Sequence, residues 1–284
     1  MNIGFIGLGR MGSRIAKNLL KEYGNINVYN RTKEKAKELI ELGAKFFDTP
    51  KELAKYSNII FTIVSNSEAV KEVLLGSEGA FHSASKDAYF IDMSTIEPDV
   101  SIEIYNIAKQ KGFHFLDAPL IGSVDAAEKA TLTIIVGGDK EDFEHVLPIL
   151  QKIGKNIFYV GPAGSGSKLK LINNVLIANT PVIFGEILNI AKKSGLDLQV
   201  VLNVLKSGIF GQILTYYENR IVYKNFSTRF SLELMLKDLK YAKKLASTFN
   251  CKTAIIDSLV QVYDEAFKKG LSQLDYTSVS TVFE

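Results

Sequence analysis

The chain opens on a short apolar run, Ile3-Gly4-Phe5-Ile6, which leads into Gly7-Leu8-Gly9-Arg10-Met11-Gly12 and then into a segment of helical periodicity ending at Tyr23. Few folds place three glycines at this spacing between a strand and a helix. The first glycine permits a tight turn, the second lets the backbone approach a ligand, and the third lets helix and strand pack closely. The unpaired N–H groups of the helix start then face an anion. The pattern therefore reads as a cradle for the pyrophosphate of a dinucleotide, with Gly7, Leu8, Gly9, Arg10, Met11 and Gly12 as its contact set. The plain alternative is an ordinary strand-to-helix turn that carries glycines, and the flanking strand and helix argue against it.

From residue 2 to about 160, runs rich in Ile, Val, Phe and Tyr alternate with amphipathic segments. Candidate strands cover 2–7, 25–29, 58–64, 88–92, 114–117, 131–136 and 156–160. Several are apolar on both faces, which requires helices on each side and predicts an α/β, doubly wound, Rossmann-type parallel sheet. The cluster Gly161-Pro162-Ala163-Gly164-Ser165-Gly166 then forms turns, and no strand pattern follows it. Residues 167–194 read as one long helix. Its stretch 171–185 has no charged residue, so it is expected to be buried nearly all round, with a kink at Pro181. Further helices are expected at 198–206, 211–223, 232–249 and 253–268. The resulting organisation is a dinucleotide-binding domain over 1–163 and an all-helical substrate and oligomerisation domain over 164–284, opened by the long interdomain helix.

The 284 residues suffice for two such domains, and 46% hydrophobic with 23% charged residues is an ordinary globular balance. A net charge of +3, from 34 basic and 31 acidic residues spread along the chain, argues against nucleic acid as a partner. Cys251 is the only cysteine, which excludes an intrachain disulfide and a cysteine metal cluster. His82, His114 and His145 lack paired spacing, so neither a metal site nor a catalytic triad is expected. With no leader pattern and no uninterrupted apolar stretch of about 18 residues, the expected setting is cytoplasmic, without a membrane partner.

Two further constellations bear on chemistry. An NAD-selective chain usually carries Asp or Glu at the end of the second strand, about 20 residues past the turn. Here Asn30-Arg31-Thr32 stands there instead. The Arg31 guanidinium can receive a 2′-phosphate, with Asn30 and Thr32 donating further hydrogen bonds, so NADP is expected over NAD, with NAD as the weaker alternative. The bland reading of Arg31 is a solvated loop charge. Lys170 and Asn174, four apart and adjacent to Asn173, share one face of the least charged helix. A lysine whose pKa is lowered by desolvation or a nearby cation serves as general acid or base; the alternative is a side chain that snorkels to water.

These motifs together resemble the 3-hydroxyisobutyrate dehydrogenase, or β-hydroxyacid dehydrogenase, family, which includes glyoxylate and succinic semialdehyde reductases. The resemblance runs nearly end to end and covers the opening Ile3 to Gly12, the Asn30-Arg31-Thr32 of NADP-using members, Asp92-Met93-Ser94-Thr95-Ile96, Asp117-Ala118-Pro119, Gly164 to Asn174 and Lys237-Asp238-Leu239. It implies that Thr95 lies on the nicotinamide side of the cofactor, that Lys170 rather than Lys168 is the essential lysine, and that Lys237 reaches back to the cofactor. Val64 and Ser65 complete the implied cofactor set. Ile121, Gly122, Ser123, Lys170 and Asn174 form the implied substrate set.

The implied reaction is hydride transfer between NADP(H) and a small β-hydroxyacid or semialdehyde of the glyoxylate, succinic semialdehyde or 3-hydroxyisobutyrate type. Lys170 would act as acid or base, Asn174 would orient the substrate, and no metal would take part. A homo-oligomer, dimer or tetramer, is implied as well. Two departures stand out. Ile121 occupies the place of the family's substrate-gripping serine, leaving Gly122 and Ser123 to offer backbone N–H groups and the Ser123 hydroxyl. Ala130 stands where the family commonly has glycine. Imine reduction on the same architecture and a non-catalytic NADP-binding module are the competing readings. The lysine at 170 argues against both.

Overall fold

The computed structural model describes residues 2–284. Nine strands, β1 (Ile3–Ile6), β2 (Asn27–Tyr29), β3 (Lys45–Phe46), β4 (Ile59–Thr62), β5 (Tyr89–Asp92), β6 (His114–Asp117), β7 (Leu120–Ile121), β8 (Leu132–Gly137) and β9 (Gly154–Gly161), form one sheet. Their order is β3-β2-β1-β4-β5-β6-β8-β7, with β9 pairing β8. Strands β1 to β6 are mutually parallel wherever they pair. The helices between them are α1 (Gly12–Tyr23), α2 (Lys37–Glu41), α3 (Pro50–Lys55), α4 (Ser67–Leu75), α5 (Pro98–Gln110), α6 (Val124–Glu128) and α7 (Lys140–Leu150).

Residues alternate between two apolar clusters, as doubly wound strands must. Phe61, Ile91 and Leu116 belong to one, while Ile60, Phe90 and Phe115 belong to the other. The sheet is not parallel throughout, as the sequence suggested. Strand β8 runs antiparallel to β6 and β7. The reason is chain length: about ten residues join β7 to β8, fewer than the dozen or more that a parallel crossover needs.

The chain divides into two compact units, the first ending at Lys170 and the second spanning Leu171–Glu284. The division falls inside helix α8 (Ser165–Lys193), whose first turn is bound to β6 through Asp117. The second unit adds α9 (Leu198–Ser207), α10 (Gly211–Ile221), α11 (Leu232–Thr248) and α12 (Ala254–Ala266). Its core gathers Ala178, Val182 and Phe184 of α8 with Leu236, Leu239 and Tyr263. Tyr263 donates its hydroxyl to the Ala178 carbonyl at 3.0 Å.

Helix α8 runs unbroken through Pro181. Its length and apolar composition would suffice to cross a bilayer; here its inward side builds this core. The expectation of burial nearly all round does not hold. Within 171–185, Ile172, Leu176 and Ile183 are exposed, by 60%, 71% and 44%. An uncharged stretch shows only that no side needs water.

Candidate active site

The parallel strands bring their carboxyl ends to one sheet edge, where register aligns Ile6 with Tyr29 and Thr62, Thr62 with Asp92, and Asp92 with Asp117. In an open α/β sheet this is the edge at which ligands bind. Gly7 leaves β1 at φ +100°, a conformation that favours glycine, and donates its N–H to the Tyr29 carbonyl at 2.9 Å. A Cβ on Gly12 would stand 2.0 Å from the Gly7 carbonyl oxygen, whereas one on Gly9 would meet nothing within 4 Å. The turn is therefore closed where helix and strand pack and open at Gly9. No side chain caps α1 and its first turn carries no acidic residue. Its N–H groups and dipole suit an anion, and the fit to a dinucleotide pyrophosphate is good.

Leu8 is buried, Met11 half-buried and Arg10 exposed. Asn30 ties the turn to the next loop: its Oδ1 accepts from Leu8 N–H and its Nδ2 donates to the Thr32 carbonyl, each at 2.8 Å. One of the two Asn30 Nδ2 hydrogens expected to reach a 2′-phosphate is thus engaged within the protein. Arg31 and Thr32 are exposed beside it.

Asp92, buried at the end of β5, is a hub. Its Oδ1 accepts from the hydroxyls of Thr62 and Ser94 at 2.7 Å each. Ser94 Oγ in turn accepts from Val64 N–H at 2.9 Å. This network fixes the chain after β4, carrying half-buried Val64 and exposed Ser65, against the chain after β5, carrying half-buried Thr95. Asp117 ends β6 and is 1% exposed. Its Oδ1 accepts from Gly164 N–H at 2.8 Å and its Oδ2 from Ser167 N–H at 2.7 Å. Burial pushes its pKa up to about 6, against the pull of those two N–H groups. Lys170, half-buried, follows Ser167 by three residues.

The loop expected to hold substrate continues from Asp117. Ile121, half-buried in β7, pairs with Thr133. Gly122 is exposed, and Ser123 caps α6, its Oγ accepting from Ala126 N–H at 3.3 Å. That capping bond uses a lone pair of the Ser123 oxygen, and the O–H can still donate.

In the helical unit, Asn174 is buried and its Nδ2 donates to Asp238 Oδ2 at 2.6 Å. Lys237 Nζ lies 3.0 Å from Asp238 Oδ1 and 5.0 Å from the centre of the Tyr241 ring. Asn173 donates to Asn174 Oδ1 at 3.2 Å. One buried carboxylate thus joins two residues that the sequence singled out. The sequence places Asp238 in the Lys237-Asp238-Leu239 motif without giving it a role. The available signal was periodicity, since Asp238 is three after Met235 and four before Ala242 on the inward stripe of α11. Among the described residues, no group of three or more His, Cys, Asp and Glu side chains is placed to hold a metal. His114 instead pairs with Asp142 at 2.7 Å.

Residues 2–161 match the profile of the NAD binding domain of 6-phosphogluconate dehydrogenase, and residues 164–283 match that for NAD-binding of NADP-dependent 3-hydroxyisobutyrate dehydrogenase. An uncharacterized oxidoreductase of Bacillus subtilis, YkwC, is 38% identical over 269 residues, covering 94% of this chain and 93% of the relative. The chloroplastic glyoxylate/succinic semialdehyde reductase 2 of Arabidopsis thaliana is 33% identical over 280 residues, covering 98% and 78%. A solved structure of Mycobacterium tuberculosis 3-hydroxyisobutyrate dehydrogenase with L-serine matches with a TM-score of 0.89 at 25% identity, covering 100% of this chain and 99% of that one. With this glycine turn, sheet edge and helical unit, the chain belongs to the 3-hydroxyisobutyrate dehydrogenase family of oxidoreductases with an NAD(P)-binding Rossmann domain.

Proposed function

We propose that the protein is an NADP(H)-dependent oxidoreductase interconverting a small β-hydroxyacid and its aldehyde acid, with Lys170 as general acid and base. The observation that carries the cofactor preference is the end of β2. Exposed Arg31 stands beside the glycine turn where a ribose-binding carboxylate would repel a 2′-phosphate. The NADP-dependent family named by the match over residues 164–283 supports the same reading.

When bound, the nicotinamide cofactor supplies or takes up the hydride. In reduction the Lys170 ammonium donates a proton to the substrate oxygen, and the amine left behind regains one from water. In oxidation the neutral amine takes the hydroxyl proton. Asn174, held by Asp238, orients the substrate's oxygen and carboxylate, and Lys237 adds positive charge. Gly7 to Gly12 hold the pyrophosphate, and Val64, Ser65 and Thr95 border the cofactor. Ile121 cannot donate a hydrogen bond, so a carboxylate there relies on the backbone N–H groups of Gly122 and Ser123, and an apolar part of the substrate packs on the isoleucine. The exposed side of α8 favours a homo-oligomer.

The test is a panel of glyoxylate, succinic semialdehyde and 3-hydroxyisobutyrate with each cofactor, followed by cofactor absorbance. Turnover with a higher kcat/KM for NADPH than for NADH is expected. Lys170→Ala should lower kcat by about 100-fold or more while cofactor affinity stays within about twofold. A clear NADH preference sinks the cofactor assignment, and a Lys170→Ala enzyme with most of its activity sinks the proton role.

A further inference from the structure

Helix α8 takes its N-terminal cap from another part of the chain. Helix starts are ordinarily capped by a local Ser, Thr, Asp or Asn, yet the residue before Ser165 is Gly164, which has no side chain to offer. The acceptor comes instead from Asp117, 47 residues earlier at the end of β6, which takes the N–H of Gly164 on one oxygen and that of Ser167 on the other. Two further glycines close the arrangement. A Cβ on Gly137 would stand 2.6 Å from Asp117 Oδ1, and one on Gly166 would stand 2.9 Å from Oδ2 and 2.8 Å from the Asp117 carbonyl. The carboxylate is boxed between β8 and the first turn of α8, with no slack on either side.

Two arms leave this anchor. One runs through Ala118 and Pro119, whose ring stiffens the backbone, into Ile121. The other runs up α8 from Ser167 to Lys170, less than one turn on, so a shift of the helix start passes undiminished to the lysine. We propose that Asp117 is a positioning residue: it sets the first turn of α8, and with it the Lys170 amine, in register with the loop that begins at Ala118. This rests on the reading of Lys170 as the proton donor.

A purely architectural cap would not need a charge. Sealing an ionised carboxylate from water is costly, and burial raises the Asp117 pKa against the pull of its hydrogen bonds to the start of α8. A serine at the helix start would cap more cheaply, but it would leave the start of α8 unattached to β6. What the costly arrangement adds is a fixed distance between two segments far apart in sequence. Proton transfer depends steeply on such a distance, since a misplacement of about 1 Å can lower a rate on the order of 100-fold.

The test compares Asp117→Asn and Asp117→Ser with the wild type. Asparagine keeps the shape but turns one acceptor into a donor facing an N–H; serine keeps a single acceptor and serves if asparagine does not fold. Three quantities are read: kcat per folded molecule, NADPH affinity by fluorescence, and the rate of reductive methylation of Lys170 in the ligand-free protein, mapped by peptide mass with Lys168 as internal reference. We expect kcat to fall about 10- to 100-fold, NADPH affinity to stay within about twofold, and the labelling ratio of Lys170 to Lys168 to change at least about threefold. Folded variants with lower thermal stability but wild-type kcat and labelling ratio would show that Asp117 only caps the helix. A lowered kcat with an unchanged labelling ratio overturns the proposal equally, because the effect would then run elsewhere. The labelling ratio does not depend on catalysis, so it separates this proposal from the proton role of Lys170, which Lys170→Ala tests on its own.

Discussion

Asp117 also makes stability depend on pH with a sign opposite to that of most carboxylates. Its folded pKa, pushed up to about 6 by burial, exceeds the ordinary 3.8, so between these values the folded chain holds more protons than the unfolded one. The contribution of this group is therefore fully present below about pH 3.8 and is lost as pH rises through about 6. The difference between the two pKa values corresponds to on the order of 3 kcal/mol. Asp117→Asn cannot titrate there. Urea unfolding of the two proteins from pH 4 to 6.5 should show the wild type losing stability relative to the variant. A difference that stays flat, or moves the other way, would mean the carboxylate is better solvated than its burial indicates. Of the residues that shape the site, the sequence exposed those with a motif: the glycines, Arg31, Lys170 and Asn174. Asp92, Asp117 and Asp238 also lie in motifs, but their roles come from contacts with residues 30 to 64 positions away, which no local pattern announces.

At the scale of elements, the departure at Ala130 has a structural consequence. Helix α6 ends in a Schellman arrangement, with Thr131 N–H donating to the Ala126 carbonyl at 2.9 Å and Ala130 N–H to that of Ala127 at 3.3 Å. The residue between, Ala130, lies at φ +54°, where an L side chain is strained and glycine is the usual occupant. Ala130→Gly should therefore raise stability by about 0.5–1 kcal/mol and the melting temperature by a few degrees, measurable by calorimetry. A lowered melting temperature would show that glycine's entropy in the unfolded chain outweighs the strain. Elements with periodicity were legible in sequence: the strands at β1, β4, β5 and β6, and α8 to α12, agree with the structure to within a few residues. Strands β3 and β7, two residues each, are too short to show any period. The reversal of β8 lay in a connection length rather than in any strand pattern. The outward side of α8 is not legible in the sequence because absence of charge does not signal burial.

For the molecule as a whole, that outward side presents a row of exposed apolar residues. Leu169, Leu176, Ile183 and Ile190 recur every seven residues along α8, and Ile172 fills the space between the first two. All five are more than a third exposed, and Val200 and Val204 of α9 are exposed as well. Monomers rarely present an apolar patch above about 300–600 Å², and a standard interface covers about 800 Å² on each partner. An exposed apolar seam with a seven-residue repeat fits a second copy of the same chain, because a two-fold axis sets the same seam against itself. The wild type is expected to sediment as a dimer or larger at micromolar concentration. Leu176→Glu combined with Ile183→Glu places two charges in the seam and should yield a monomer, since an unpaired charge buried in an interface is strongly destabilising. Both side chains already face water in the single chain, so the fold of the monomer should survive, with an unchanged far-ultraviolet spectrum. A wild type that sediments as one chain at all concentrations, or a double variant that associates as strongly as the wild type, would remove the seam as the contact between copies.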